Sequence, residues 1–414
     1  MKVKLLGITA LATCLVVGII TALPYRKAKT GDSWNSETAA GPGWPGAVSA
    51  NSWDQKAAAA YLDQREGWWM QWSTATRDHE TFCVSCHTAV PYALSRARLR
   101  KALAEEAPSD NERKLLENVT KRVRLWRDVG PFYDDQEYDS HKVDESRGTE
   151  AVLNALILAS YNAQNGQLSK DTRSAFDRMW ALQQTTGDKK GAWSWLQFDL
   201  EPWEAYDSQF YGATLAAIAV GTAPENYRLT PEIQNNLKLL REYLDRKYAA
   251  QSSINRVVLL WASAKLPGLL EPERQRSIIK EILSTQQADG GWSLSALFAT
   301  WRSLSLHTLL RRWRRKDGTP QEVKSDGYAT GLITFALQQA GTPRENVQVR
   351  RGMLWLVHNQ DKREGLWPAY SLNRRRNSSS DTGHFMSDAA TAYAVLALTE
   401  DQPTLNQVAL PLKR

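Results

Sequence analysis

Five residues carry the clearest chemistry in this chain: Cys83-Val84-Ser85-Cys86-His87. Cys-x-x-Cys-His is the attachment pattern of a c-type haem. Two thiols one helical turn apart reach the two vinyl groups, and the adjacent imidazole meets the iron from the proximal side. On this reading Cys83 and Cys86 hold haem c as thioethers within the segment 79–91, and His87 is the proximal ligand. Two other readings stay open. Cys83 and Cys86 could close a small disulfide, or His79, Cys83, Cys86 and His87 could hold zinc, which takes thiolate and imidazole ligands.

The sixth iron ligand has candidates but no motif: Met70, His79, His141, His307, His358, His384 and Met386. An open sixth position favours small-ligand binding or redox chemistry. A Met or His there favours electron transfer.

The N-terminus supplies the compartment. Lys2 and Lys4 precede an uncharged apolar run, Leu5 to Leu23, which Pro24 ends. That run is about long enough to span a bilayer, which takes ~20 apolar residues. Residues 1–29 therefore read as an export signal or a retained membrane anchor. Cys14 lies inside the run, which argues against a lipoprotein anchor and leaves Cys83 and Cys86 as the two cysteines of the body. The body is expected in the periplasm or another extracytoplasmic space, free or anchored to the inner membrane through residues 5–23. Haem c is attached in that compartment. Residues 30–56, rich in Gly, Pro and Ser, read as a linker.

The elements that must position these groups come from a repeat. Gln286-Gln287-Ala288-Asp289-Gly290-Gly291-Trp292 ends an amphipathic helical pattern. The glycines permit a tight turn, and the Trp folds back under the helix end. Leu62 through Trp69, Leu182 through Trp193 and Val357 through Trp367 look like further copies. Each copy is followed by a run that is small and apolar nearly all round, such as Asp207–Gly221, Asp326–Leu337 and Ser387–Leu398. Glu150–Leu158 and Ile254–Trp261 look like degenerate members. Apolarity on every side marks a buried helix. Alternating amphipathic and buried helices predict an all-α fold of about five or six helical hairpins in two concentric layers.

These Gln-Gly-Trp repeats resemble the Gln-Trp mark of the terpenoid cyclase and protein prenyltransferase superfamily. The resemblance spans roughly residues 57–400 and implies an α/α toroid, with residues 401–414 a short tail. The activity does not carry over. The squalene-hopene cyclases of that superfamily protonate their substrate with Asp-x-Asp-Asp, and none occurs here; Asp134-Asp135-x-x-x-Asp139 does not reproduce it. The prenyltransferases' zinc ligands begin with Asp-x-Cys, which is also missing. In a toroid the starts of the inner helices line one mouth of the central cavity. That places Glu204, Asp207, Tyr211, Asp326, Tyr328, His384 and Asp388 near a common rim, as pocket residues or as helix caps and core.

Net charge is +7, with 52 Lys and Arg scattered among 45 Asp and Glu, so nucleic acid is not the natural partner. The basic runs Arg311–Lys316 and Arg374–Arg376 read as solvated loops or as contacts with an anionic membrane surface. Three functions follow. The first is an exported haem c protein on a toroid, acting with a redox partner in electron transfer or a haem-dependent step. The second is an enzyme acting on an isoprenoid or other apolar ligand without the Asp-x-Asp-Asp acid. The third is a non-catalytic toroid that binds lipid or protein, with a Cys83–Cys86 disulfide or zinc.

Overall fold

A computed structural model describes residues 53–138, 141–299 and 314–400. The expectations for residues 1–52, 401–414, Asp139, His307 and Arg311 to Trp313 lie outside the described residues. No helix among those described is long and apolar enough to cross a membrane.

The protein is all-α. Twelve long helices occur among the described residues: α1 (Gln55–Gln71), α2 (Ala89–Ala102), α3 (Asp110–Arg124), α4 (Lys142–Asn165), α5 (Lys170–Ala181), α6 (Ser208–Thr222), α7 (Gln234–Lys247), α8 (Ser253–Lys265), α9 (Pro272–Ser284), α10 (Gly327–Gln339), α11 (Val347–His358) and α12 (Phe385–Leu398). The one strand pair among these residues is Thr76–Arg77 with Thr81–Phe82, antiparallel. Side-chain caps fix several starts. Ser109 and Glu112 form a reciprocal capping box at α3, and Ser169, Ser252 and Asp326 cap α5, α8 and α10.

Burial sorts the helices as their sequences predict. In α6, Ser208 through Val220 are all buried; in α10 and α12, so are Gly327 through Gln338 and Met386 through Ala397. α4 and α8, the degenerate members, are also buried along most of their length. α5, α7, α9 and α11 bury one face each. The buried helices touch in the order α2, α4, α6, α8, α10, α12, and α12 packs back on α2. α1 and α3 lie against α2, and α5, α7, α9 and α11 lie against α4, α6, α8 and α10.

The repeat is a three-part clasp. In the copy after α9, Trp292 Nε1 donates to the Ile282 carbonyl (2.9 Å), and Gln286 donates to Gly290 of its own loop and to Gln348 at the start of α11. The copy after α5 joins Gln183 to Gly191 and to Asn236 of α7. The copy after α11 joins Gln360 to Gly365 and to Asp54, just before α1; Asp54 N–H donates back to Gln360 Oε1 (2.7 Å). The loop glycines Gly191, Gly290 and Gly365 have φ of 98°, 94° and 82°, which L side chains rarely adopt. In each clasp the Trp indole meets a carbonyl in the last turns of one helix, and the Gln amide reaches a carbonyl at the start of the next amphipathic helix and so holds it in place.

The expected first copy, Leu62 through Trp69, is not one. It is uninterrupted helix within α1, and Gly67 sits mid-helix facing the Asn111 side chain.

Gln360 ties the last clasp to the first helix across 306 residues of sequence. Gln360→Ala removes three hydrogen bonds at a buried position. It should destabilise by about 1–3 kcal/mol in chemical denaturation, with the slope of the transition unchanged.

Candidate functional site

The Cys-x-x-Cys-His segment lies between the strand pair and α2. Cys83 N–H donates to the Ala75 carbonyl (2.8 Å), and Trp69 Nε1 donates to the Cys83 carbonyl (2.7 Å). Asn118 of α3 brackets Phe82 with two hydrogen bonds. Ser85 Oγ accepts from the Thr88 and Ala89 N–H groups at the start of α2. The loop is therefore held from α1, α3 and its own following helix.

Cys83 and Cys86 are buried free thiols with no disulfide between them. Both line a cavity of about 300 Å³, together with His87. Its walls are largely aromatic: Trp69, Trp72, Tyr133, Tyr138, Phe198, Trp203 and Phe385. Burial pushes the Cys83 thiol up to about 12 and Cys86 well above its ordinary value, so both are neutral thiols. His79, the fourth member of the zinc reading, is half exposed and pairs with Asp78 (3.2 Å). No group of three or more His, Cys, Asp or Glu among the described residues could hold a metal ion.

His87 has a defined tautomer. Its Nδ1 lies 2.8 Å from Thr88 Oγ1, and that hydroxyl donates to Asp388 Oδ2 (2.7 Å). A hydroxyl has one proton to give, so Thr88 accepts at its other side and His87 Nδ1 is the donor. Nε2 is left with a free lone pair. Burial, with Arg65 and Arg376, pushes the His87 pKa down to about 3, so the imidazole is neutral at ordinary pH. Its ring stacks on Phe385 (centroids 3.8 Å apart) and meets Trp69 edge-on.

Asp388 is the hub behind this arrangement. Besides Thr88, it accepts from Tyr61 (2.7 Å) and from Arg65 through Nε (2.8 Å) and a terminal nitrogen (3.2 Å). Arg65 also reaches the side chain and carbonyl of Asp381. Burial pushes the Asp388 pKa up, opposed by Arg65, Tyr61 and Thr88. Four donors fill its acceptor sites, the arrangement of a carboxylate.

The rim expected from the inner-helix starts divides. Glu204 lines the cavity, and burial pushes it up to about 7. Asp326 is buried and works as a cap, accepting from the Ala329 and Leu294 N–H groups; burial lifts it to about 6. Asp207 accepts from Asn255 (3.1 Å). Tyr211 and Tyr328 are core residues, and Tyr328 packs edge-on against Trp203 and Tyr393. His384 bonds Tyr61 rather than a ligand space. Among the sixth-ligand candidates that are described, Met386 alone lines the cavity.

The sequence did not locate the aromatic walls, and it read Arg376 as part of a solvated or membrane-facing basic run. Arg376 lines the cavity with its guanidinium over Phe385 (5.8 Å), and burial and Arg374 lower its pKa. The Trp and Tyr residues carried a compositional signal, but nothing in the sequence placed them together.

No family model and no curated protein matches this chain. Among solved structures, a wild-type glycosidase aligns with a TM-score of 0.44 at 12% identity, covering 83% of this chain and 98% of the other. A glycosidase variant in complex with glucose aligns with a TM-score of 0.45 at 13% identity over the same shares.

Beside the network, Glu66 is fully buried, and neither carboxyl oxygen has a partner among the described residues. Burial, then Asp388 and Asp63, push its pKa up to about 8. The folded-state value lies above the unfolded one, so this stability is complete below the unfolded value. It is lost as pH rises through about 8. Glu66→Gln should therefore be more stable than the native chain at alkaline pH by roughly 2–4 kcal/mol and near parity at pH ~4. Urea denaturation across pH measures this; parallel curves would contradict it.

Proposed function

We propose that this protein is an exported c-type haem protein built on an α/α toroid of the terpenoid cyclase kind. It acts in electron transfer or in a haem-dependent redox step. The observation that carries this reading is the joint placement of Cys83, Cys86 and His87 in one aromatic-lined cavity, with His87 Nε2 free. The closed order of buried helices supports the toroid, and the apolar run Leu5 to Leu23 supports export.

The ligating side chains suit the group, whose macrocycle would extend beyond the cavity of about 300 Å³. Both thiols are unbonded and line the same cavity, so Cys83 and Cys86 would hold the haem as thioethers. The fixed His87 tautomer offers an iron ligand at Nε2, and the Thr88–Asp388 pair behind it makes that ligand more basic. Arg376 offers a cation for the propionate edge. Met386 offers a thioether from the same cavity lining. When bound, haem c would supply one-electron chemistry at iron.

A second reading rests on Glu204. A carboxyl held near pKa 7 inside an apolar cavity can act as an acid or base toward an apolar or isoprenoid ligand.

Expression for export alongside cytochrome c maturation machinery separates the two. An absorption spectrum should show reducible Soret and α bands, and the intact mass should include one haem that survives denaturation. Both should vanish in a Cys83→Ala/Cys86→Ala variant. A colourless protein of apo mass would overturn the haem reading and favour the second.

A further inference from the structure

The C-terminal turns of the buried helices enclose a second cavity of about 130 Å³. Ile218, Phe335 and Leu396 give it apolar walls, and Arg98, Trp261 and Lys265 bring polar groups to it. Arg98, Trp261 and Lys265 carry donors only, while Ser160, Gln164 and Thr222, which also line it, can both donate and accept. The Trp261 indole N–H is buried and finds no acceptor among the described residues; Trp261 itself is 3% exposed. A buried donor without a partner costs about 1–3 kcal/mol. The Lys265 side chain is largely buried, and burial and the neighbouring Arg98 hold its pKa below the ordinary lysine value. Glu400, the carboxylate whose charge favours the Lys265 ammonium, is already bonded to Arg98 and Gln339. No ion pair to Lys265 occurs among the described residues. Helix C-termini favour a cation here by a fraction of a kcal/mol, but two cations share one carboxylate.

We propose that this cavity binds a short-chain monocarboxylate. The carboxylate would take the Lys265 ammonium and the Trp261 N–H, and the alkyl chain would lie against Phe335, Ile218 and Leu396. The volume equals about four waters at the ~30 Å³ each occupies in the liquid, so a chain of about four carbons fits. The site shares no residue with the cavity at Cys83 and does not depend on haem.

The test is calorimetric titration of the full chain with butyrate and, separately, 1-butanol. Butyrate should bind at least about tenfold more tightly than the alcohol. Lys265→Met should weaken butyrate binding about tenfold or more, and Trp261→Phe, which keeps the ring but loses the N–H, about threefold or more. The thermal midpoint of each variant checks folding; if Lys265→Met does not fold, the butyrate and butanol comparison on the native chain decides alone. Equal affinity for acid and alcohol, unchanged affinity in a folded Lys265→Met, or no butyrate binding at about 20 mM would overturn the proposal.

Discussion

The site depends on one buried carboxylate. Asp388, in the first turn of α12, accepts from Arg65 and Tyr61 of α1 and from Thr88 next to His87. It thus ties the first helix, the cysteine loop and the last helix at one point. A single partner would not justify burying such a charge, because desolvation opposes it by several kcal/mol. Four donors in good geometry offset that cost. The same contacts leave His87 with one possible tautomer. A structural constraint and a chemical one are therefore the same set of hydrogen bonds.

The Gln-Gly-Trp clasps are what make that convergence possible. α1 and α12 are more than 300 residues apart in sequence, and closing so large a loop has an entropic cost that local contacts must repay. The Gln360 clasp onto Asp54 sets α1 beside the end of the chain. Clasps at Gln183 and Gln286 repeat the construction along the chain. The buried helices provide the apolar mass, and the clasps provide the register.

Much of the fold was legible because its devices need particular residues. A positive φ at Gly290 calls for glycine, and a run of small and apolar residues with no charge, such as Ala389–Ala397, belongs in the interior. The misread copy at Leu62 through Trp69 shows the limit. A glycine before a tryptophan looks the same whether it ends a helix or, like Gly67, packs against a neighbour within one. Arg122, in the highly charged helix α3, is fully buried against Glu150 (2.6 Å). Pairings between distant segments leave no local signal.

The chemistry was half legible. Cys83, Cys86 and His87 announce themselves by spacing. Their surroundings do not, because Phe198, Trp203, Arg376, Phe385 and Met386 come from three separate segments. Of seven expected rim residues, Glu204 alone lines the cavity; Asp326 and Asp388 look the same in sequence but serve a cap and an ion-pair hub. All three are buried, and the partners that distant segments bring to each, not residue type, decide between those roles.

The most direct measurement is anomalous diffraction at the iron edge from crystals of protein matured with haem c. The account predicts one iron site per chain in the cavity bounded by Trp69, Phe198 and Trp203, at bonding distance from His87 Nε2, with density continuous from Cys83 and Cys86 to the macrocycle. Crystals with no iron site, or with iron away from His87, would contradict it.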